Sequence, residues 1–282
     1  MRTWGEERDA GAAVLRHAGI PTASLDADVL LTDVLGISKE TLYAHPDTEM
    51  SHGPMRRFRE LIERRARGEP VAYLRGFKEF YGLRFAVDPR VLIPRPETET
   101  LVDAARDLIR GRALSVADVG TGSGAIAVAV AAHEPSVRVI ATDISEDALA
   151  VARANAAANG VADRVDFRQG DLFAPLDRPV DVVLANLPYL RDDSLEQLVG
   201  DRTSLAFEPK LAVTAGKDGL ELIWRAATDL SRVLGPTGSA FFEVDPPLAD
   251  QVSALLGHAV GGKPQVICDL AGEARVVFVQ IP

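Results

Sequence analysis

The first 70 residues place apolar side chains three to four positions apart, which is the period of an amphipathic helix. Three such stretches stand in this region: GAAVLRHAGI, SLDADVLLTDVLGI and PMRRFRELIERRARG. Each of them ends near a glycine, as helices commonly do. The pattern predicts a small all-helical N-terminal domain over residues 1–70.

The pattern changes over residues 71–93, VAYLRGFKEFYGLRFAVDPRVLI, to two alternating runs rich in aromatic and β-branched residues, with Gly82 between them. Alternation of this kind around a glycine predicts a β-hairpin. We therefore expect residues 71–95 to link the helical domain to a second domain over residues 96–282.

Apolar strands alternate with helical patterns in that second region. A helix is predicted over residues 98–110 and is followed, in order, by ALSVADV, GAIAVAVAAH, VRVIATD, SEDALAVARANAAANG, RVDFRQGD, PVDVVLAN, GLELIWRAATDLSRVLG and GSAFFEV. QVICDL and ARVVFVQI then predict a closing antiparallel pair. Strands separated by helices form right-handed βαβ units, so the predicted fold class is α/β with a Rossmann-like, mostly parallel sheet.

Composition and charge narrow the class of protein. The 282 residues are 47% hydrophobic and 26% charged, as in soluble globular proteins, and the net charge of −10 argues against direct nucleic-acid binding. The basic stretch MRRFRELIERRAR is interleaved with acids, so we expect a solvated helix face with Glu60–Arg64 and Glu63–Arg67 pairs, which a partner protein could still use. The apolar run at 125–132 is too short to span a membrane, and the first residues lack a signal-peptide core. We therefore expect a cytoplasmic protein without a membrane partner.

Cysteine and histidine offer little chemistry. The single cysteine, Cys268, lies in the apolar stretch VICDL and is expected to be a buried, inert thiol. The five histidines show no metal-ligand spacing, so no metal site is predicted.

A glycine-rich turn follows the first strand of the alternating region and opens a helix. It consists of Gly120, Thr121, Gly122, Ser123 and Gly124. Glycines at the carboxyl end of a parallel strand let a ligand approach the backbone closely, although tight packing alone would also explain them. The run is G-x-G-x-G, whereas dinucleotide sites use G-x-G-x-x-G.

The next two strands end in acids. Asp143 and Ile144 close the second strand, about twenty residues beyond the glycines, where a carboxylate accepts ribose hydroxyls. Asp171 and Leu172, in the segment GDLF, close the third strand and are placed to meet an adenine ring. Each acid taken singly could instead cap a helix. A glycine loop, a ribose acid and an adenine loop without a phosphate-binding motif describe S-adenosylmethionine better than NAD.

The fourth strand ends in Asn186, Leu187, Pro188 and Tyr189. Pro188 prevents the strand from continuing, so these residues form a loop. The Asn186 amide oxygen and a backbone carbonyl are hydrogen-bond acceptors suited to a substrate nitrogen that carries N–H groups, and Tyr189 offers a flat face to a planar group. The alternative interpretation is that these residues only form a proline-capped Asx turn.

From about residue 69 onwards the chain resembles the HemK/PrmC family of protein-(glutamine-N5) methyltransferases. The resemblance rests on the segments EPVAYLRGFKEFYGLRFAVDPRVLIPRPETE, ADVGTGSGAIAVAV, ATDISEDALAVARANA, GDLFAPL, NLPY and DLAGEARVV. It implies a class I methyltransferase domain behind a helical N-terminal domain. It also implies methylation of the glutamine of the Gly-Gly-Gln motif in class 1 peptide-chain release factors, with S-adenosyl-L-homocysteine as the cofactor product.

Residue by residue, the resemblance implies that residues 120–124, Asp143 and the Asp171–Leu172 loop hold S-adenosylmethionine. Asn186 and the Leu187 carbonyl would hold the glutamine amide, Pro188 would shape the loop, and Tyr189 would pack on the substrate. Residues 95–97, Arg-Pro-Glu, would border the pocket.

Departures from the family pattern lie on the substrate side. Leu187 replaces the first proline of the usual Asn-Pro-Pro-Tyr, AGKDG stands where two glycines are more common, and FFEVDPPLADQ replaces Glu-Ile-Gly-x-x-Gln. They keep open a paralogue that N-methylates a small amide, guanidine or amine. An RNA adenine-N6 methyltransferase and a non-catalytic binding module are further alternatives.

Overall fold

The computed structural model describes residues 2–191 and 205–282. The described chain divides into two compact units, one formed by residues 2–77 and 205–207 and the other by residues 78–191 and 208–282. Nowhere in these ranges is there a helix long and apolar enough to cross a membrane.

The first unit is helical, as predicted. Its helices are α1 (Trp4–His17), α2 (Ala23–Leu35), α3 (Lys39–Ala44), α4 (His52–Ala66) and α5 (Val71–Arg75). Their apolar faces meet in a core that includes Leu15, Leu30, Leu31, Phe58 and Leu61. Burial of these side chains holds short helices together that would be marginal in isolation.

Helix α5 is a correction, because residues 71–75 were expected to begin the hairpin. Pro70 precedes the helix with an extended backbone, and Gly76 closes it in the left-handed conformation at φ 77°. Leu74 is buried in the helical core, and Val71 packs against it. Capping and tertiary packing therefore outweigh the β-propensity of Val71 and Tyr73.

The arginines of α4 also pair differently from the expectation. Glu60 lies near Arg56 and Arg57 at 3.9 Å, and Arg64 binds Glu69 instead of Glu60. Two further arginines of α4 pair with buried acids of other helices: Arg59 donates to Glu7, and Arg65 donates to Asp26 at 2.7 Å. Part of this basic stretch thus holds the helices together.

A hairpin follows, formed by β1 (Phe77–Phe80) and β2 (Leu83–Ala86). Tyr81 and Gly82 at its turn both have positive φ, 52° and 73°. Two consecutive left-handed residues are characteristic of the tight hairpin turn whose twist matches that of the strands.

The second unit contains one seven-stranded sheet in the order β5-β4-β3-β6-β7-β9-β8. The strands are β3 (Ser115–Val119), β4 (Arg138–Asp143), β5 (Val165–Gln169), β6 (Val180–Ala185), β7 (Leu234–Glu243), β8 (Gln265–Cys268) and β9 (Ala274–Gln280). Its helices are α6 (Glu99–Ile109), α7 (Ala125–His133), α8 (Glu146–Ala158), α9 (Lys210–Val213), α10 (Glu221–Val233) and α11 (Ala249–Val260). Short 3₁₀ turns, Pro96–Thr98 and Pro246–Leu248, precede α6 and α11.

Strands β5, β4, β3, β6 and β7 run parallel, and β9 and β8 close the sheet antiparallel, which confirms the predicted fold class. Alternate residues of each strand enter two cores: Val182 and Leu184 pack with α6 and α7, whereas Val183 packs with α10 and α11. Burial on both faces explains why the parallel strands are almost continuously apolar.

Strand β8 lies at one edge of this sheet, and Cys268 at its end is exposed. The expectation of a buried thiol is therefore wrong. An apolar neighbourhood in the sequence indicates burial only when both faces of the strand are covered, and Val266 of β8 is 44% exposed as well.

The sheet register brings the carboxyl ends of the parallel strands to one edge. Val119 of β3 lies opposite Thr142 of β4 and Ala185 of β6, and Ala185 in turn lies opposite Phe242 of β7. The loops after these strands are therefore neighbours, as is usual where α/β sheets bind ligands.

Candidate active site

A cavity of about 300 Å³ opens at this edge of the second unit. Most of the predicted site residues line it: Gly120, Gly122, Asp143, Ile144, Asp171, Leu172, Asn186, Leu187 and Pro188. The ends of four parallel strands therefore converge on one space, as their order in the sheet requires.

Three residues of the glycine turn lie outside the lining and face the protein instead. Thr121 donates its hydroxyl to Asp118 at 2.6 Å, and the Ser123 carbonyl accepts from the Asn155 side chain at 2.8 Å. Gly124 precedes α7 at φ 81°, and a Cβ there would come within 3.0 Å of Ala152. In this structure these three residues shape the turn.

Asp143 ties the glycine turn to the end of β4. Its two carboxylate oxygens accept the N–H groups of Gly122 and Ser145, each at 2.9 Å. Burial raises the pKa of Asp143, while these backbone hydrogen bonds favour its ionised form. Each oxygen keeps a second lone pair, so the carboxylate can still accept hydroxyl groups of a ligand in the cavity.

Apolar side chains from three separate segments line part of the cavity. Ile144 is 55% exposed and Leu211 of α9 is 71% exposed, and both line the cavity together with Leu172. Leu172 has a left-handed backbone at φ 48°, and its carbonyl accepts the Thr142 hydroxyl at 2.9 Å. Exposed apolar groups around a concave site are suited to the faces of a planar ring.

The Asp171 carboxylate, predicted to meet an adenine edge, forms an ion pair with Arg225 of α10. Both side chains line the cavity and both are partly exposed. Asp171 therefore lines the cavity with a cationic neighbour that the sequence did not indicate, and its contact with adenine stays a prediction.

Asn186 is held by a residue far away in the chain. Its side-chain nitrogen donates to the Thr98 hydroxyl at 3.1 Å, and Thr98 is buried in the 3₁₀ turn before α6. An amide whose nitrogen is engaged in this way directs its oxygen elsewhere. Since Asn186 lines the cavity, that oxygen is an acceptor for a bound group.

The residues after Asn186 are packed closely. Leu187 is 3% exposed, and its side chain lies beside Gly120, where an added Cβ would come within 3.0 Å of it. Tyr189 is half-buried and is not among the cavity-lining residues. Burial raises the pKa of Tyr189 to about 12, helped by the negative charges of Glu243 and Asp245, so its hydroxyl stays protonated.

Three buried acids near the site were not predicted. Asp118 accepts the Thr121 hydroxyl and the N–H of Ala127 at 3.1 Å, and burial raises its pKa to about 6. Glu208 accepts the N–H of Ile93 at 3.1 Å and the Arg95 guanidinium, and its burial also raises its pKa. The third acid, Glu243, ends β7 and is 4% exposed.

Arg95, expected to border the pocket, is thus bound to Glu208, and the cavity lining does not include residues 95–97. The position of Asp118 directly before Val-Gly at a strand end is a signal that could have identified it. Glu208 has no comparable local signal, because it meets Ile93 across 115 positions of the chain.

Each of the two parts of the chain matches a known family model. Residues 8–76 match the PrmC N-terminal domain, and residues 98–205 match the methyltransferase small domain. The fold also resembles the T. thermophilus 16S rRNA N2 G1207 methyltransferase in complex with AdoMet and guanosine. That structure has a TM-score of 0.53 at 18% identity, over 73% of this chain and 50% of that one, which bears on the fold alone.

Curated relatives are similar over almost the whole length. The release factor glutamine methyltransferase of Rhodopirellula baltica is 40% identical over 94% of this chain and 92% of the relative. The enzyme of the same name from Koribacter versatilis is 38% identical over 97% of each chain. These matches confirm the resemblance inferred from the sequence motifs, and the chain belongs to the release factor glutamine methyltransferase family.

Proposed function

We propose that this protein is an S-adenosylmethionine-dependent methyltransferase that methylates the side-chain amide nitrogen of the glutamine in the Gly-Gly-Gln motif of class 1 release factors. The observation that carries the proposal is the orientation of Asn186. Its nitrogen is bound to Thr98, and its residue lines the cavity beside the glycine turn and Asp143. Membership of the family supplies the class of substrate.

The groups that line the cavity suit S-adenosylmethionine. Asp143 offers carboxylate oxygens for ribose hydroxyls, Ile144 and Leu172 offer apolar faces for adenine, and Gly120 and Gly122 leave the backbone accessible. The glycine turn lacks the dinucleotide spacing. When bound, the cofactor supplies a methyl group on a positively charged sulfur, which is the electrophile of the reaction.

The substrate-side residues hold and orient a nitrogen. A primary amide carries two N–H donors, and the Asn186 side-chain oxygen and the Leu187 carbonyl are two acceptors on consecutive residues. Acceptors on these N–H groups increase the electron density on the nitrogen, which is otherwise a weak nucleophile. Fixing the nitrogen in line with the methyl group supplies a large part of the barrier reduction by proximity.

The test is a methyl-transfer assay with radiolabelled S-adenosylmethionine and the class 1 release factors of the same organism. Each release factor is compared with a variant whose Gly-Gly-Gln glutamine is replaced by alanine. We expect label on the glutamine form only. Absence of label on both forms, with cofactor binding intact in calorimetry, would overturn the release-factor assignment and favour a small amide, guanidine or amine as the substrate.

Asn186→Ala tests the assignment of the acceptor. Removing the side-chain amide should abolish transfer while cofactor affinity changes little, because Asp143 and the glycine turn remain. Asn159→Ala is the matched control, since Asn159 follows α8 outside the cavity lining and its side-chain nitrogen donates to the Arg84 carbonyl at 3.1 Å. It should transfer methyl groups at the wild-type rate. Normal turnover by Asn186→Ala would contradict the proposed role.

A further inference from the structure

Glu243 lies next to Asn186 and has no role in the proposed methyl transfer. Strands β6 and β7 are parallel neighbours with Ala185 opposite Phe242, so the next residue of each strand, Asn186 and Glu243, come side by side at the sheet edge. Glu243 is not among the residues that line the cavity. It therefore contacts the protein behind Asn186 and not the cavity itself.

The carboxyl group of Glu243 is buried and incompletely bonded. The residue is 4% exposed, and its Oε2 atom has no hydrogen-bond partner within the described part of the chain. A buried acceptor without a partner costs free energy, and native proteins keep such groups mainly where they serve a purpose. This acceptor lies at a strand end beside the half-buried Asn186 amide.

The Asn186 side chain interacts with both Thr98 and Glu243. Its Nδ2 atom carries two N–H groups, and it donates to the Thr98 hydroxyl. Thr98 is itself 4% exposed and interacts with the Glu243 side chain, as Asn186 does. The amide nitrogen is thus bound to a hydroxyl oxygen, and the strand register places the Glu243 side chain beside the same amide.

We propose that Glu243 is a positioning residue which, together with Thr98, keeps the Asn186 amide nitrogen turned toward the protein and its oxygen turned toward the cavity. The proposal rests on the proposed function, in which that oxygen receives a substrate N–H. The ionised carboxylate can only accept hydrogen bonds, so it selects the nitrogen end of the amide. A protonated carboxyl carries a donor and loses that selectivity.

The orientation should accordingly depend on pH. The pKa of Glu243 is raised to about 7, chiefly by burial and also by the negative charge of Glu97, while Thr98, Arg275 and Asn186 act to lower it. Tyr189 is a further titratable group that faces it and stays protonated in this range. Transfer should therefore increase as the pH rises through about 7, when the carboxyl becomes ionised.

Glu243→Gln is the main variant, since it keeps the size of the side chain and replaces the carboxylate by a group that can donate. We expect kcat/KM for the release factor to fall by at least about tenfold, chiefly in kcat, because a misdirected amide misaligns the nitrogen. Cofactor affinity and the melting temperature should change little. The dependence of kcat/KM on pH around 7 should disappear.

Two further variants make the test specific. Thr98→Val removes the hydroxyl and should act in the same direction, and the double variant should be less than additive because both residues orient one amide. Glu134→Gln is the control, since Glu134 is 5% exposed and is bound to Arg106 and the Gly111 N–H, away from Asn186. It should leave kcat/KM and its pH profile unchanged.

A spectroscopic readout separates this inference from the proposed function. The ¹⁵N resonance of the Asn186 side-chain amide, assigned by its loss in Asn186→Ala, should titrate with a midpoint near pH 7 in the wild-type protein and not in Glu243→Gln. That measurement requires no substrate, so it supports the orientation even if no release factor is methylated. An Asn186 resonance that titrates identically in both proteins, or in neither, would overturn the inference.

Discussion

The backbone of the loop over residues 186–190 packs directly on Gly219. This glycine has φ +77°, and a Cβ added to it would lie closer than 3.0 Å to the carbonyl oxygen of Tyr189 and 3.1 Å from the carbonyl carbon. Leu190, the next residue, is fixed by two backbone hydrogen bonds, to Val213 at 3.1 Å and from Ala215 at 2.8 Å. The loop is therefore held against Gly219, so Gly219→Ala should force it out of its hydrogen-bonded position.

Two effects set the magnitude. An alanine held in the left-handed region costs about 1–2 kcal/mol. Relief of the overlap requires the Tyr189 carbonyl to shift by up to about 1 Å, and a misplacement of that size in an active site costs about 100-fold in rate. Since Asn186 and Leu187 precede Tyr189 on the same loop, kcat/KM for methyl transfer should fall about 100-fold in Gly219→Ala, with cofactor affinity nearly unchanged.

Gly216→Ala is the matched control. Gly216 also has a positive φ, +75°, but an added Cβ would meet the end of the Glu221 side chain at 2.5 Å, and that flexible side chain can turn away. Urea denaturation should show a loss of about 1–2 kcal/mol in the free energy of unfolding for Gly216→Ala and a larger loss for Gly219→Ala. Methyl-transfer kinetics should distinguish the two more clearly. Equal kcat/KM values in both variants would refute the idea that Gly219 positions the loop.

Three further predictions concern single side chains. Asp118→Asn should remove a pH dependence of the free energy of unfolding. Burial raises the pKa of Asp118 to about 6 in the folded protein, against an ordinary 3.8, so the protonated wild-type carboxyl stabilises the fold below about pH 4, and about 3 kcal/mol of this stabilisation is lost as the pH rises through about 6. Urea denaturation of both proteins over this pH range should show the loss as a changing difference between them. Leu187→Ala should destabilise the protein by about 2–4 kcal/mol in the same assay, because Leu187 is 3% exposed. It should lower kcat/KM less than Asn186→Ala, since the Leu187 backbone carbonyl remains. An unchanged free energy of unfolding would contradict the packing role. Cys268 should react with a thiol reagent in the folded protein to one equivalent without loss of methyl transfer, and a thiol that reacts only in denaturant would show it to be covered.

Much of the candidate site could be predicted from the sequence because a glycine or polar residue marks the end of each strand. Gly120 and Asn186 directly follow strands, Asp143 ends one and Asp171 closely follows another, and parallel strands must bring their carboxyl ends to one edge. These four residues line one cavity in the structure. Which members of a motif face a ligand was less predictable: Thr121 and Ser123 hydrogen-bond inward.

The errors have a common physical origin in tertiary context. Residues 71–75 have the composition of a strand, but Pro70 and Gly76 flank a single helical turn that packs on the first unit's core. The stretch around Cys268 is apolar, yet β8 is an edge strand of the sheet. Local composition reports what a side chain prefers, whereas position in the sheet decides whether it is covered.

The segment IPRPETE shows what the sequence alone could not supply. Its resemblance to the family implied residues that border the pocket, but in the structure Arg95 binds Glu208, and the residue that contacts the candidate substrate-binding group is Thr98. The Asn186–Thr98 hydrogen bond spans 88 positions of the chain and requires β6 to end beside the start of α6. Glu243 joins the same group only because β7 is the neighbour of β6 in the sheet. The member of this motif that the structure joins to Asn186 is therefore Thr98, and Thr98, Asn186 and Glu243 come from three separate segments whose meeting depends on the strand order.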